Sequence, residues 1–179
     1  MELGPPAGGL FVIWILELVV YNITMLSLEE MLFRLAVAVA LGALVGLERE
    51  FIGKEAGFRT DIMVAAGAAI FSIVSITLPY IIAVSPANLP DVIARNSGFL
   101  GLIANIVVGI GFLGAGIIVK QGTHVHGLTT AATVWFAAAI GVLCGVGLIT
   151  FALISTVALT LLLSLLRNVH IPVHKGEEK

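Results

Sequence analysis

Long apolar runs separated by short polar segments dominate the chain. Runs of about 17 to 25 apolar residues are long enough to cross the hydrocarbon core of a bilayer as helices. The last part of the chain is uncharged over about twice that thickness, so we predict a turn at Gly145-Val146-Gly147. The pattern therefore predicts six spans: Leu10–Leu26, Leu28–Leu47, Ile62–Val84, Ser97–Val119, Leu128–Cys144 and Leu148–Leu166.

The composition points to the same class of protein. Of the 179 residues, 59% are hydrophobic and 11% are charged, whereas soluble domains carry about 25% charged residues. Backbone polar groups cannot stay unpaired in lipid, so the spans should be helices. We predict an all-α, polytopic helical bundle in the lipid bilayer, with an extra N-terminal helix in residues 1–27, a main transmembrane domain in residues 28–167 and a short tail in residues 168–179. The net charge of −2 gives no basis for binding nucleic acid.

The distribution of lysine and arginine predicts the orientation. Arg49, Lys54 and Arg59 follow the second span, and Lys120 follows the fourth. With six spans these residues lie on one side of the membrane together with the basic residues of the tail. Because positive charge favours the cytoplasmic side, we predict that both termini are cytoplasmic.

The segment GIGFLG at residues 109–114 matches the G-x-G-x-x-G pattern of dinucleotide-binding loops. Its position inside an apolar span, with no acidic residue from Val92 to Gly176, excludes that function. Spaced small residues let helix backbones approach in a bilayer. We therefore interpret the glycines of the second and fourth spans as helix-packing positions, with a permeation path lined by backbone as the alternative: Gly42, Gly46, Gly109, Gly111, Gly114 and Gly116.

Two segments 70 residues apart resemble each other. Residues 57–70 read GFRTDIMVAAGAAI and residues 127–140 read GLTTAATVWFAAAI. The match predicts a parallel internal repeat, in which the second and third spans correspond to the fourth and fifth. It also predicts Thr60 and Thr130 as N-caps that open the third and fifth spans.

Charged residues cluster in sequence at the junction of the second and third spans. We expect Glu48, Arg49, Arg59 and Asp61 to form one polar cluster there, because the connecting segment is short. One interpretation is a set of ion pairs, Glu48–Arg59 or Arg49–Asp61. The other is a ligand or Mg²⁺ site built on Glu48 and Asp61, since Mg²⁺ prefers oxygen ligands. No nucleophile is paired with a base, so an enzyme is not expected.

Several blocks together resemble one known family. The blocks GLERE, GFRTD, GIGFLGAG and GLTTAATVW, between about Leu35 and Leu166, are similar to those of the MgtC/SapB family of bacterial and archaeal membrane proteins. The resemblance implies a small inner-membrane protein needed for growth at low Mg²⁺. It implies no catalytic cofactor, although Mg²⁺ itself is a candidate ligand. Some members are reported to act on the F-type ATP synthase, which favours a non-catalytic regulator that works through a membrane partner, with a homo-oligomer also expected; the alternative is a genuine Mg²⁺ transporter or channel.

The resemblance also points to particular residues. The functional positions that it implies, besides the glycines of the fourth span, are Glu48, Arg49, Arg59, Thr60, Asp61, Asn105, Thr129 and Thr130. Asn105 stands where glutamine is usual in the family, and the acidic and basic residues usually found just before the fourth span are missing from SGFLGLIAN. The soluble C-terminal domain of some members is not expected here.

Overall fold

The computed structural model describes residues 26–83, 88–95 and 98–167. Within these residues the chain forms six helices and one small β-hairpin. The helices are α1 (Leu28–Phe51), α2 (Phe58–Ile82), α3 (Leu89–Arg95), α4 (Phe99–Ile117), α5 (Leu128–Val146) and α6 (Ile149–Arg167). The strands β1 (Val119–Gln121) and β2 (His124–His126) connect α4 to α5 as an antiparallel pair, with Val119 opposite His126.

Helix α1 begins and ends at clear chemical signals. The hydroxyl of Ser27 accepts a hydrogen bond from the backbone N–H of Glu30 at 3.2 Å. Glu29 and Glu30 lie in the first turn and Arg49 in the last turn, which complements the helix dipole at both ends. Helix α2 follows after a short loop. Its first amide, that of Phe58, donates to the carboxylate of Glu50 at 2.9 Å, so a side chain of α1 caps α2.

The predicted turn between the last two spans is confirmed. Helix α5 ends at Val146, and Gly147 follows with φ +95°, a left-handed conformation that glycine adopts without strain. The amide of Leu148 donates to the carbonyl of Leu143 at 2.8 Å, which closes the turn into α6. The predicted N-caps are wrong: Gly57 precedes α2 and Gly127 precedes α5, while Thr60 and Thr130 lie inside the first turns.

Helices α2 and α5 pack face to face through small residues. A Cβ atom added to Gly145 would lie 2.6 Å from both the Ala69 carbonyl oxygen and the Ser72 Cβ. A Cβ atom on Gly141 would overlap the backbone of Ala65. The core beside this contact also consists largely of small and branched side chains: Ala38, Leu41, Val45, Ala69, Ile140, Cys144 and Ala152. The glycines and alanines at these contacts let α1, α2 and α5 approach closely and share one packed centre.

The contacts fix the relative directions of the helices. At one end of the bundle, Arg34 of α1 donates to the carbonyl of Gly145, near the end of α5. At the other end, Arg49 of α1 reaches Thr130, in the first turn of α5. Helix α1 therefore runs antiparallel to α5. We call the second end, which contains Arg49, the α1–α2 loop and the start of α5, the polar end.

The predicted fold class is confirmed. Among the residues that the structure describes, four helices (α1, α2, α5 and α6) are long and apolar enough to cross a membrane, and α4 contains the shorter apolar stretch Gly101–Ile117. The predicted first span, Leu10–Leu26, lies outside the described residues. The β-hairpin and the short helix α3 were not predicted. The internal repeat stays a prediction: Gly57 and Gly127 both precede helices, but their φ angles are −127° and +82°.

The glycine contacts predict unequal effects of the same substitution. A Cβ atom on Gly42 would lie 2.8 Å from the Asp61 carbonyl oxygen and from the Ala65 Cβ, whereas one on Gly67 would meet nothing within 4 Å. We expect Gly42→Ala to lower the free energy of unfolding by about 1–3 kcal/mol, because two backbones must separate. Gly67→Ala is the matched control and should not lower it. Unfolding of both variants in detergent measures the difference, and equal stabilities would contradict close packing at Gly42.

Candidate functional site

A buried arginine occupies the centre of the polar end. Arg49 lies in the last turn of α1, and only 3% of its surface is exposed. Its Nη2 donates a hydrogen bond to the hydroxyl of Thr130 at 3.3 Å. Its Nε is buried and has no hydrogen-bond partner among the described residues. A charged group in this position must be compensated by nearby acceptors or opposite charge.

Thr130 links Arg49 to the α1–α2 loop. The Thr130 hydroxyl accepts from Arg49 and donates to the Glu55 carboxylate at 3.1 Å. A hydrogen bond from its own backbone amide, and a second from Thr130, lower the pKa of Glu55 below its ordinary value. The three residues come from α1, the loop and α5, so their hydrogen bonds connect all the elements that meet at the polar end.

Asp61 is the second buried charged residue. It lies in the first turn of α2 and is fully buried. Neither carboxylate oxygen has a hydrogen-bond partner within the described residues, and no direct salt bridge joins it to Arg49 there. Arg49 is nonetheless the positive charge whose field reaches Asp61. Arg49 and Asp61 thus carry opposite charges and attract each other without direct contact, in a region from which solvent is excluded.

The structure brings together some of the predicted site residues and separates others. Arg49, Asp61 and Thr130 lie at the polar end, whereas the single cluster of Glu48, Arg49, Arg59 and Asp61 stays a prediction. Arg59 has an exposed side chain outside this buried group, although it lies in the same turn of α2 as Asp61. Thr60 is half-buried, and Thr129 is exposed. Sequence reasoning missed Glu55 and Glu50, whose carboxylates accept hydrogen bonds from Thr130 and from the first amide of α2. The signal was the pair of glutamates at the two ends of the loop segment EFIGKE.

The two metal candidates do not form a metal site by themselves. Glu48 is half-buried and lines a surface pocket together with Arg49, whereas Asp61 is fully buried. In the described ranges there is no group of three or more His, Cys, Asp or Glu side chains placed to hold a metal ion. Mg²⁺ is usually held by one or two carboxylates with waters, but here the positive charge of Arg49 acts on Asp61 and would repel a cation.

Helix α4 presents a second feature, an open groove against α2. The groove has a volume of about 440 Å³, and its walls are almost entirely apolar. Gly67 and Gly109 face open space, and the exposed side chain of Asn105 is the polar group in the lining. No hydrogen bond to the Asn105 amide comes from the part of the chain that the structure describes.

The glycines predicted as packing positions divide into two groups. Gly42 and Gly46 lie against backbone atoms of α2 and of the loop before it. Gly114 is in ordinary contact with Ala131 at 3.7 Å. Gly109, Gly111 and Gly116 have nothing within 4 Å of an added Cβ. Packing inside the described chain therefore explains the glycines of α1 but not these three of α4, for which a packing role stays a prediction.

Together, the apolar helices, the small-residue packing and the buried charged residues define a polytopic α-helical membrane protein. The sequence model that defines the MgtC family matches residues 35–171 of this chain. The chain belongs to the MgtC family.

Named relatives agree with this assignment. The chain is 46% identical over 133 residues to Protein MgtC of Brucella abortus, which covers 74% of this chain and 50% of the relative. It is 41% identical over 153 residues to Protein MgtC of Salmonella paratyphi A, covering 83% of this chain and 59% of the relative. An uncharacterised protein of Synechocystis is 40% identical over 154 residues. The chain thus spans between half and three fifths of these relatives, and no solved structure matches it.

The buried charges predict a specific mutational result. We expect Asp61→Asn to lower the free energy of unfolding by on the order of 3 kcal/mol, because it leaves the buried charge of Arg49 without a buried counter-charge at the same end of the bundle. Arg59→Gln removes an exposed charge and should change it by less than about 1 kcal/mol. The double variant Asp61→Asn with Arg49→Gln should lose less free energy of unfolding than the sum of the losses in the two single variants. Wild-type stability of Asp61→Asn in detergent would show that the carboxylate does not balance Arg49.

Proposed function

We propose that this protein is a non-catalytic regulator of Mg²⁺-dependent growth that acts by binding another membrane protein. The observation that carries the proposal is the groove between α2 and α4. An amide such as that of Asn105 is costly in hydrocarbon unless it forms hydrogen bonds. Flanking glycines, Gly101 and Gly109, lie one turn on either side of it and face open space. Small residues around a polar residue are the features that let a second transmembrane helix approach and bind.

The groove fits a single partner helix better than a transported ion. Its lining is apolar apart from Asn105, so it offers a cation neither charge nor a ring of oxygen ligands. The polar end supplies charges, but the charge of Arg49 opposes entry of a cation at Asp61. Several relatives are named Protein MgtC, and the resemblance to their family makes the F-type ATP synthase one membrane partner to test first.

A photo-crosslinking experiment in cells tests the partner. A photoreactive residue replaces Phe112, which is 86% exposed and lies on the same side of α4 as Asn105 and Gly109. The matched control replaces Leu161 of α6, which is 58% exposed. At low Mg²⁺ we expect the α4 probe to form a discrete adduct with another membrane protein and the α6 probe to form none. Asn105→Leu should weaken that adduct and growth at low Mg²⁺ without changing the amount of protein in the membrane.

Two results would contradict the proposal. An adduct only with a second copy of this chain would make the groove a homo-oligomer interface. Saturable Mg²⁺ entry into liposomes that contain the purified protein alone, lost in Glu48→Gln, would favour the transporter. The flux measurement also needs Glu29→Gln as a control, because Glu29 is an exposed acid at the opposite end of α1.

We also propose that the polar end faces the cytoplasm. Lys54, Arg59 and Lys120 flank the starts of α2 and α5, whereas Arg34 is the basic residue near the other end of α1, which the positive-inside rule explains. Single cysteines introduced at Lys120 and at Asn88 should therefore react with a membrane-impermeant reagent from opposite sides. Reaction of Asn88→Cys and Lys120→Cys from the same side of intact cells would refute this topology.

A further inference from the structure

A pocket opens at the polar end beside the buried arginine. It has a volume of about 420 Å³ and is formed by the end of α1, the α1–α2 loop, the start of α5 and the last turns of α6. Its polar wall consists of Glu48, Arg49, Lys54 and Thr129. Its apolar lining consists of Ile52 in the α1–α2 loop and of Leu163 and Leu166 on α6. The pocket is therefore amphipathic, with cationic groups on one side and a lipid-facing helix on the other.

Arg49 brings unused hydrogen-bonding capacity to this wall. A guanidinium carries five N–H donors, arranged as a planar fork that suits phosphate and carboxylate oxygens. Here Nη2 donates to Thr130, and Nε is buried without a partner in the described ranges. Lys54 adds an exposed ammonium, and its backbone is held in place by a hydrogen bond from its N–H to the Arg49 carbonyl at 3.1 Å.

The start of α5 adds further donors at the same place. Gly127 has no side chain that could cap α5. The Ala131 amide donates the hydrogen bond that the Gly127 carbonyl accepts at the start of the helix. The amides of the preceding turn, including that of Thr129, consequently have no acceptor within the helix. Together with the positive end of the helix dipole they favour an anion.

The charges of the pocket favour a group with a single negative charge. Arg49 and Lys54 contribute two positive charges and Glu48 one negative charge, and Glu48 already takes part in another interaction. Two further carboxylates lie at the polar end: Glu55 accepts a hydrogen bond from Thr130, and Asp61 forms no hydrogen bond to Arg49, so the Arg49 Nε keeps its donor. A dianion would meet more repulsion from these carboxylates than a phosphodiester, which carries one charge.

The position of the pocket suits the headgroup layer of a membrane. Leu163 and Leu166 lie in the last turns of α6, where this apolar helix ends. The neighbouring Leu162 and Leu165 are 47% and 66% exposed, so an apolar surface continues from the pocket along α6. A lipid whose phosphate entered the pocket could lay an acyl chain along this surface, where its burial is favourable.

We propose that this pocket binds a phosphate group through Lys54, Arg49 and the first amides of α5. An anionic phospholipid and free phosphate share this chemistry, and the apolar wall favours the lipid. The site is separate from the α2–α4 groove, so it does not depend on the proposed function.

The test uses the full chain in a maltoside detergent, which contains no phosphate. Three probes are added separately: phosphatidylglycerol, a diacylglycerol with the same acyl chains, and inorganic phosphate. Phosphatidylglycerol should raise the melting temperature, and the diacylglycerol should not. If inorganic phosphate raises the melting temperature as much as phosphatidylglycerol does, free phosphate is the ligand. If phosphatidylglycerol raises it and inorganic phosphate does not, the lipid is the ligand.

Lys54→Gln carries the mutational arm, because an Arg49 variant could unfold the bundle. The side chain of Lys54 is exposed, so its replacement should preserve the fold. The matched control is Lys120→Gln, which removes an exposed lysine from the hairpin before α5. We expect Lys54→Gln to lose at least half of the shift caused by phosphatidylglycerol and Lys120→Gln to keep it. Equal shifts in the two variants, or an equal shift with the diacylglycerol, would overturn the proposal.

Discussion

The close approach of α2 and α5 is the constraint on which the rest of the structure depends. Two glycines of α5, Gly141 and Gly145, lie directly against the backbone of α2 around Ala65 and Ala69. A bilayer supplies no hydrophobic force between helices, so this contact depends on van der Waals packing between backbones. The same approach brings the first turns of α2 and α5 to one end of the bundle. The meeting of Asp61, Arg49 and Thr130 is thus a consequence of small residues placed further along the helices.

The helices were predictable because their signals are local. Apolar length located α1, α2, α5 and α6, and the glycines near residue 147 located the last turn. The N-caps were predicted wrongly because threonine is a good cap in general, whereas here Gly57 and Gly127 make the caps and the carboxylate of Glu50 binds the first amide of α2. That contact joins residues eight apart and depends on the loop conformation. The hairpin at 119–126 lacks a strong alternating pattern, so the sequence predicted only a loop.

The candidate site was predictable in composition but not in arrangement. The short loop between α1 and α2 predicts that Arg49 and Asp61 lie at the same end of the bundle, because antiparallel neighbours must place those ends together. It could not distinguish Arg59 from Arg49: which arginine faces the bundle depends on the rotation of each helix about its axis. Thr130 and Glu55 complete the site from segments 75 residues apart. Similarly, glycines of α1 and α4 look alike in sequence, and only the packing shows which of them have a neighbour.

The hydrogen bonds at both ends of α5 have a mechanical consequence. Thr130 is tied to α1 and the loop at one end, and the carbonyl of Gly145 is tied to Arg34 at the other. Sliding of α5 along its axis would break both attachments, so α1, α2 and α5 should behave as one rigid frame. Helix α4 has no such attachments in the described chain, and the paired strands β1 and β2 join it to α5. A tilt of α4 would therefore reorient that hairpin at the membrane surface. A movement of this helix inside the bilayer would thus change the position of strands that are exposed to water.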